Sequence, residues 1–381
     1  MKSQIKSPGR AAARTSDRVA PALPARNRDW RSLALRLLAV AGQAMTLGIT
    51  WPLWIVRHYP PQPPMLPAFG LPTDGFPQFN VLPWLWASLV LVLLFARWGV
   101  VVHIGLLVAA MLLDQTRMQP QCISLALLMV ASLGTPGAKL VGRSHLIAMW
   151  FFAGVHKLLS PGYFHKVVPY LATGLLGKTD SRSLAVLGAA AAGLEVALAL
   201  LAIVPRSRQA AAALACAMHS TIALWLALRL GWNAGVWPWN IVLAAAALLL
   251  IWPWRTSPLR DWRESSRLAK TAALVILISP VGYYFGVVDA YLAYCLYSGN
   301  TLEAKIVLPD GAEVRLDTLA SSLNAAMPPA VRLYEEYFEQ VGEPGELLVI
   351  HDARWWSRIH GKENREIYKP APAIGKEAGG G

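Results

Sequence analysis

The sequence predicts an all-α polytopic membrane bundle of about nine transmembrane helices, followed by a small α+β domain outside the membrane. Hydrophobic residues make up 55% of the 381 positions and charged residues only 15%. Apolar runs long enough to cross about 30 Å of hydrocarbon recur along the first three quarters of the chain. From Asp289 the composition becomes that of a soluble protein. Four segments follow: a disordered basic arm (1–32), the bundle (33–288), an external domain (289–368) and a disordered tail (369–381).

The charge pattern places the chain in a membrane. The formal net charge is +13, yet the Arg and Lys residues collect in the N-terminal arm and in loops between apolar runs. Such clustering follows the positive-inside rule and leaves no continuous basic face for a nucleic acid. We therefore expect the lipid bilayer as partner and the N-terminus in the cytoplasm. The three cysteines lie far apart in sequence, and we expect neither a disulfide framework nor a metal site.

The arm lacks the apolar core of a signal peptide, so the first span begins near Leu33. Residues 57–80 contain seven prolines and two glycines, which predicts an external loop. The run 81–113 is too long for one span, and we expect two short spans with a turn at 97–99. The other predicted spans are 33–56, a short fourth span ending near 134, 144–159, 183–204, 210–230, 237–252 and 271–288.

Lys157 stands at the end of the fifth span. Between His145 and Leu159 the ionisable side chains are two histidines and this lysine. A charge within hydrocarbon costs about 2.5–3.5 kcal/mol on insertion scales, so such residues usually have a function. Lys157 is either a general base in a low-dielectric site or an interfacial lysine that extends to lipid head groups. His145 and His156 share a helix face, which favours packing or a local hydrogen bond for both.

Glu195 and His219 lie inside two successive spans. A carboxylate within a span must be protonated, paired or facing water, so Glu195 is either functional or part of a structural pair. Both residues lie near mid-membrane if a short hairpin joins their spans. We therefore expect Glu195 and His219 to face the bundle interior and to lie close together.

The external domain carries clear local signals. A Pro-Asp-Gly turn separates 304–308 from 312–316, which predicts a β-hairpin. Residues 329–341 fit a helix and 346–351 a further strand. A domain this small buries little core alone, so we expect it to pack on the external face of the bundle and to cover Lys157.

Motifs for hydrolases, P-loop proteins, thiol redox proteins and zinc proteases are missing from the sequence. One resemblance remains. The run from Trp150 to Leu158, preceded by Arg143, resembles the horizontally transferred transmembrane (HTTM) domain of vitamin K-dependent gamma-carboxylase and its bacterial relatives. Similarity extends to Gly193-Leu-Glu195, Met218-His219 and the Gly-x-Trp-Pro-Trp run that starts at Gly235, and it covers roughly residues 90–255.

The resemblance implies a reduced, vitamin K-like quinone as cofactor. In the carboxylase a lysine deprotonates the hydroquinone, dioxygen converts it to an alkoxide that removes a γ-proton from protein glutamate, and carbon dioxide adds. On this match the catalytic residues would be Lys157, Glu195 and His219, and the cofactor-binding residues would be His156, Arg143 and Trp150. The protein would then be a multi-pass protein of a bacterial inner membrane that acts on a quinol-like lipid.

Two features depart from the carboxylase pattern. The turn Gln119-Pro-Gln121 lacks a histidine that the carboxylase has near this point, and the external domain is far smaller. Leu296 to Thr301 is more similar to uncharacterised bacterial HTTM-like or DoxX-like membrane proteins. The alternative function is therefore a non-catalytic transporter or assembly scaffold, in which Glu195 and His219 form a structural pair.

Overall fold

The computed structural model describes residues 29–65, 79–176, 180–229, 233–316, 321–352 and 354–369. It is mostly helical, with one small antiparallel sheet near the C-terminal end. Within these ranges five helices are long and apolar enough to cross a membrane: Trp30–Ile49, Ala96–Leu113, Ser181–Ile203, Arg208–Leu228 and Arg267–Phe285. Three shorter helices are also apolar: Leu82–Leu94, Pro120–Ala131 and Val236–Ile251.

The bundle contains eleven α-helices within the described residues. In chain order they are α1 (Trp30–Ile49), α2 (Leu82–Leu94), α3 (Ala96–Leu113), α4 (Pro120–Ala131), α5 (Pro136–Leu158), α6 (Val168–Leu176), α7 (Ser181–Ile203), α8 (Arg208–Arg229), α9 (Val236–Ala246), α10 (Pro258–Glu264) and α11 (Arg267–Ile278). A π-helical turn at Tyr163–Val167 leads into α6, and a second at Ala247–Ile251 extends α9. A 3₁₀ stretch at Ser279–Phe285 continues α11.

Helices stand at each of the nine predicted positions, although the number of membrane crossings remains a prediction. The run 81–113 divides into α2 and α3 as expected, but the break falls at Phe95, before the predicted turn at 97–99. The first span was predicted to reach residue 56, whereas α1 ends at Ile49 and a 3₁₀ turn containing Pro52 follows. The predicted disordered arm and tail lie almost wholly outside the described residues.

Helix α5 is the central element of the bundle. It has 23 residues, which at 1.5 Å per residue gives about 35 Å, enough to cross the hydrocarbon core. Thr135 caps its first turn by accepting a hydrogen bond from the Ala138 amide, and Pro136 follows at the first helical position. Helices α4, α7, α10 and α11 all pack against it.

Gly154 brings α5 and α7 close together. A Cβ atom at this position would lie 2.6 Å from the carbonyl oxygen of Ala192 on α7. Only glycine therefore allows this separation of the two helix backbones. Lys157 lies about one turn further along α5, and its side chain points towards α7.

The C-terminal domain, called external after its predicted position, contains the predicted hairpin, helix and third strand. Its strands and helices are β1 (Glu303–Val307), β2 (Glu313–Arg315), α12 (Val331–Val341), β3 (Leu347–His351), α13 (Trp355–Ile359) and β4 (Asn364–Tyr368). The sheet has the strand order β2-β1-β3-β4, all antiparallel. Residue Gly311 of the hairpin turn has a left-handed φ of 85°. Helix α13 and strand β4 were not predicted from the sequence.

The domain docks on the bundle end at which α3 and α4 are joined, and we call this end the domain end. Arg332 of α12 forms a two-armed ion pair with Asp289 and donates a hydrogen bond to Gln115 Oε1 at 2.8 Å. The amide of Gln115 in turn donates to Glu336 at 2.9 Å. The expectation that the domain packs against the bundle is thus confirmed.

A second contact ties the domain to the end of α11. Asp352 accepts hydrogen bonds from Arg354 Nε at 2.7 Å and from the Ser357 hydroxyl at 2.5 Å, while Arg354 also donates to the Tyr283 carbonyl at 2.9 Å. Burial by itself raises the pKa of Asp352, but these hydrogen bonds outweigh it and hold the pKa below its usual 3.8.

This contact should make stability depend on pH in the acid range. Because the folded state favours the ionised carboxyl, its stabilisation is complete above about pH 4 and is lost as pH falls through the depressed pKa. Asp352→Asn should therefore destabilise the protein at pH 7 and have a smaller effect at pH 3. Thermal unfolding of both proteins in detergent at the two pH values measures this. An equal effect of the substitution at both values would contradict it.

Candidate functional site

Lys157 and Glu195 form an ion pair between α5 and α7. The Lys157 ammonium donates to both carboxylate oxygens, at 2.5 and 2.6 Å. The two side chains are only 14% and 11% exposed. Glu195 lies inside the bundle, as predicted. Its hydrogen-bond partner, however, is Lys157 and not His219. The close approach at Gly154 explains why, since it places the last turn of α5 directly against the middle of α7.

The ion pair lines a cavity of about 530 Å³. Helices α5, α7, α8 and α9 form its walls, and residues 294–297 close it at the domain end. The lining is mostly apolar and includes three indole rings, those of Trp150, Trp225 and Trp239. His219 also lines this cavity. In such apolar surroundings a charged pair interacts strongly with any polar group of a ligand, and the position of its protons depends on the groups around it.

The cavity opens on the flank of the bundle between α7 and α8. Ala191 on α7 and Leu214, Ala217 and Thr221 on α8 line the cavity and are also exposed at the surface of the bundle. These residues are small or apolar, so the opening suits an apolar ligand that arrives from lipid. On α5 the wall consists of Met149, Trp150, Ala153 and Lys157, while Leu159 is 55% exposed and is not part of it.

His219 is held by two hydrogen bonds. The indole N–H of Trp150 donates to Nε2 at 2.9 Å, and since an indole can only donate, Nε2 carries no proton. Nδ1 therefore bears the proton and donates to Asn240 Oδ1 at 2.8 Å. Asn240 is fixed in turn by a hydrogen bond from its amide to the Val236 carbonyl at 3.0 Å. Both ring nitrogens of His219 thus form hydrogen bonds, and the bond to Nε2 holds the indole of Trp150 in place in the cavity wall.

His156 lies outside the cavity lining. Its Nε2 is 2.8 Å from the Ala293 carbonyl, which can only accept, so Nε2 carries the proton. Nδ1 then accepts from the Tyr284 hydroxyl at 2.6 Å. The His156 ring consequently connects the end of α5 to the segment that leads into the external domain. The ring does not line the cavity that holds Lys157.

Arg143 lies at the opposite end of α5 from Lys157. Fourteen residues separate the two, about 21 Å along a helix axis. Its guanidinium pairs with Asp261 at 2.6 Å and lies 4.7 Å from the ring centre of Trp254. The guanidinium of Arg208 lies 3.6 Å from the same ring centre. The cofactor-binding role implied for Arg143 by the resemblance has no geometric counterpart here, because the side chain is used in a buried ion pair about 9 Å along the helix axis before Met149, the first α5 residue that lines the cavity.

A buried hydrogen-bond network reaches the cavity from α4, α5 and α9. His145 Nε2 lies 2.6 Å from the Ser124 hydroxyl, which also accepts from the Trp239 indole N–H at 2.8 Å. His145 Nδ1 lies 3.1 Å from the Tyr294 hydroxyl. Tyr294 and Trp239 both line the cavity. Sequence reasoning missed Tyr294, Ser124 and Trp239, because 149 residues separate Tyr294 from His145 and 115 separate Trp239 from Ser124.

The segment that closes the cavity has an unusual backbone. Tyr294 and Tyr297 have left-handed φ values of 65° and 57°, and Gly299 follows at 62°. Each left-handed residue other than glycine costs about 1–3 kcal/mol and persists only where its surroundings enforce it. The Tyr297 hydroxyl accepts from Asn233 at 2.8 Å. Tyr297, with Leu171 and Leu296, also lines a second cavity of about 920 Å³ beneath the external domain.

Four of the six site residues predicted from sequence therefore line one cavity: Lys157, Glu195, His219 and Trp150. His156 and Arg143 serve other contacts. Comparisons of the chain with protein-family models, with curated proteins and with solved structures found no match.

Proposed function

We propose that this chain is a multi-pass protein of a bacterial inner membrane, of the HTTM kind, that acts on a quinol-like lipid with Lys157 as base. The observation that carries the proposal is the Lys157–Glu195 ion pair on the wall of an otherwise apolar cavity. Ionisable groups within a membrane bundle usually mark a substrate or proton pathway. In this proposal nine helices cross the membrane, the N-terminus is cytoplasmic and the external domain is periplasmic.

The size and lining of the cavity support a ligand of this class. A volume of about 530 Å³ falls within the range of small-molecule sites, about 300–1,000 Å³. The indole rings of Trp150, Trp225 and Trp239 offer flat apolar surfaces to an aromatic ring. The opening between α7 and α8 would let a prenyl tail remain in lipid while the ring meets Lys157.

The ion pair supplies the proton chemistry. Two of the three N–H donors of the Lys157 ammonium bond to Glu195. Within the described residues Glu195 is the hydrogen-bond partner of this ammonium. In apolar surroundings one proton can pass from Lys157 to the carboxylate, which leaves an amine and a carboxylic acid, both uncharged. The amine then accepts the proton of the quinol hydroxyl. The resulting quinolate is held by the ammonium, while Glu195 retains the first proton.

Fluorescence tests the binding step. Menaquinone-4 in lipid nanodiscs should quench part of the tryptophan fluorescence saturably, because three indoles line the cavity and quinones accept excitation energy or electrons at short range. Lys157→Arg should keep binding, since it retains the charge.

Dioxygen consumption by the reduced quinone tests the base. Dioxygen takes two electrons and the remaining proton from the quinolate, which becomes the quinone, and with the proton held by Lys157 it forms hydrogen peroxide, so the rate reports on deprotonation. Lys157→Arg should slow this reaction by about 10²–10⁴-fold, because arginine does not deprotonate. Lys166→Arg is the matched control, since Lys166 also pairs with a carboxylate, that of Glu303, but on the surface. A Lys157→Arg rate equal to wild type would favour the non-catalytic scaffold.

A further inference from the structure

We propose that Tyr294 is a second hydrogen-bond donor to the ligand, and that His145, Ser124 and Trp239 fix its orientation. This inference rests on the proposed function and deepens it, because it defines which oxygens the ligand must carry. It follows from the direction in which each hydrogen bond of the buried network has to run.

The direction is set at Trp239. Its indole N–H can only donate, so the Ser124 oxygen is an acceptor in that 2.8 Å bond. Ser124 is 1% exposed, and a buried hydroxyl proton without an acceptor is unfavourable. Within the described residues the remaining partner of Ser124 is His145 Nε2, at 2.6 Å. Ser124 therefore donates to Nε2, which carries no proton.

The state of Nε2 in turn decides which nitrogen of the imidazole ring carries the proton. With Nε2 unprotonated, neutral His145 carries its proton on Nδ1 and donates it to the Tyr294 oxygen at 3.1 Å. The Tyr294 oxygen accepts in this bond, so its own hydroxyl proton is not used within the network. Tyr294 lines the cavity, and this proton is available there to a ligand. The reverse direction would leave the Ser124 proton without an acceptor.

Lys157 and Tyr294 then present donors to the apolar cavity from different parts of its wall. One is the third N–H of Lys157, from the end of α5, and the other is the Tyr294 O–H, from the segment that closes the cavity. A ligand with a single oxygen would leave one of them unpaired, which a buried site disfavours strongly. A flat ring with two oxygen substituents, a quinone or quinol, satisfies both. A sterol with one hydroxyl group satisfies only one.

The left-handed backbone of Tyr294 agrees with this role. Glycine would adopt a φ of 65° more readily, yet a tyrosine stands there. Strained residues of this kind concentrate at ligand-binding sites, where the surrounding structure holds a side chain in one position.

Infrared difference spectroscopy of bound menaquinone-4 tests the assignment. Hydrogen bonding lowers the stretching frequency of a carbonyl group, so in the wild type both carbonyl bands should lie below their position in detergent. In Tyr294→Phe one band should return to the detergent position and the affinity should fall about threefold to tenfold. Tyr284→Phe is the matched control, because the Tyr284 hydroxyl donates to His156 and lies outside the cavity lining. It should keep both lowered bands.

The outcomes separate the two proposals. If the wild type does not bind menaquinone-4, the proposed function fails. If binding persists and Tyr294→Phe keeps both lowered bands, or if Tyr284→Phe loses one, the assignment of Tyr294 is wrong while the proposed function stands. Should Tyr294→Phe not fold, the double variant Lys157→Met with Glu195→Met decides: one lowered band must remain, and two bands at the detergent position would overturn the inference.

Discussion

Replacing Lys157 alone by methionine should lower the free energy of unfolding by about 3–5 kcal/mol, whereas replacing Lys157 and Glu195 together should cost far less. The single change leaves the Glu195 carboxyl, 11% exposed, without its partner in an apolar cavity. It must then remain charged without compensation or take up a proton, and both raise the free energy of the folded state. The double change removes both charges, and methionine fits the apolar lining.

Thermal unfolding in one detergent, followed by intrinsic fluorescence, compares the single and double variants. Lys166→Met is the matched control, because the Lys166–Glu303 pair is 64% and 44% exposed and contributes about 0–1 kcal/mol. The expected order of stability is wild type and Lys166→Met highest, the double variant next, and the single variant lowest. A double variant as unstable as Lys157→Met would show that the two charges do not compensate one another.

Arg143→Met should also cost about 3–5 kcal/mol, yet leave ligand binding intact in the folded protein. Arg143 pairs with Asp261 at 2.6 Å, and Asp261 is 6% exposed. Loss of the arginine therefore leaves a buried carboxylate without its ion-pair partner. The α5 residues that line the cavity begin at Met149, about 9 Å further along the helix axis. The sequence resemblance implies the opposite result, since it assigns Arg143 to the cofactor.

Quenching by menaquinone-4 distinguishes these expectations. Asp261→Asn tests the same ion pair from the other side and should likewise reduce stability without changing the dissociation constant. Arg97→Met controls for loss of an arginine, because Arg97 is exposed at the start of α3. A dissociation constant raised tenfold or more in Arg143→Met, with Asp261→Asn unchanged, would place Arg143 at the ligand after all.

Local signals predicted most of the fold. The division of 81–113 into two helices followed from its length and from Arg97, and the hairpin at 304–316 followed from its turn. Strand β4 was missed because alternation is weak in Asn364–Tyr368, an edge strand with mostly exposed side chains. Helix α13, at Trp355–Ile359, is too short to show a helical period.

The site was predictable only in part. A lysine and a glutamate within apolar helices stand out in sequence, but which groups they contact depends on how α5 and α7 are rotated about their axes. Hydrophobic periodicity does not fix that rotation here, because α7 is apolar on nearly all sides. His219 was paired with Glu195 on depth alone, whereas its partners are Trp150 and Asn240. Asn240 carries no signal of its own within a tryptophan-rich helix.

Helix α5 also has a consequence for biogenesis. It is not among the five described helices that are long and apolar enough to cross a membrane, because it carries Lys139, Arg143 and Lys157. The carboxylates that pair with Lys157 and Arg143 emerge later from the ribosome: Glu195 follows Lys157 by 38 residues and Asp261 follows Arg143 by 118. We therefore expect α5 to remain beside the insertion machinery during synthesis until α7 arrives, and to enter lipid together with α7 as a helix pair.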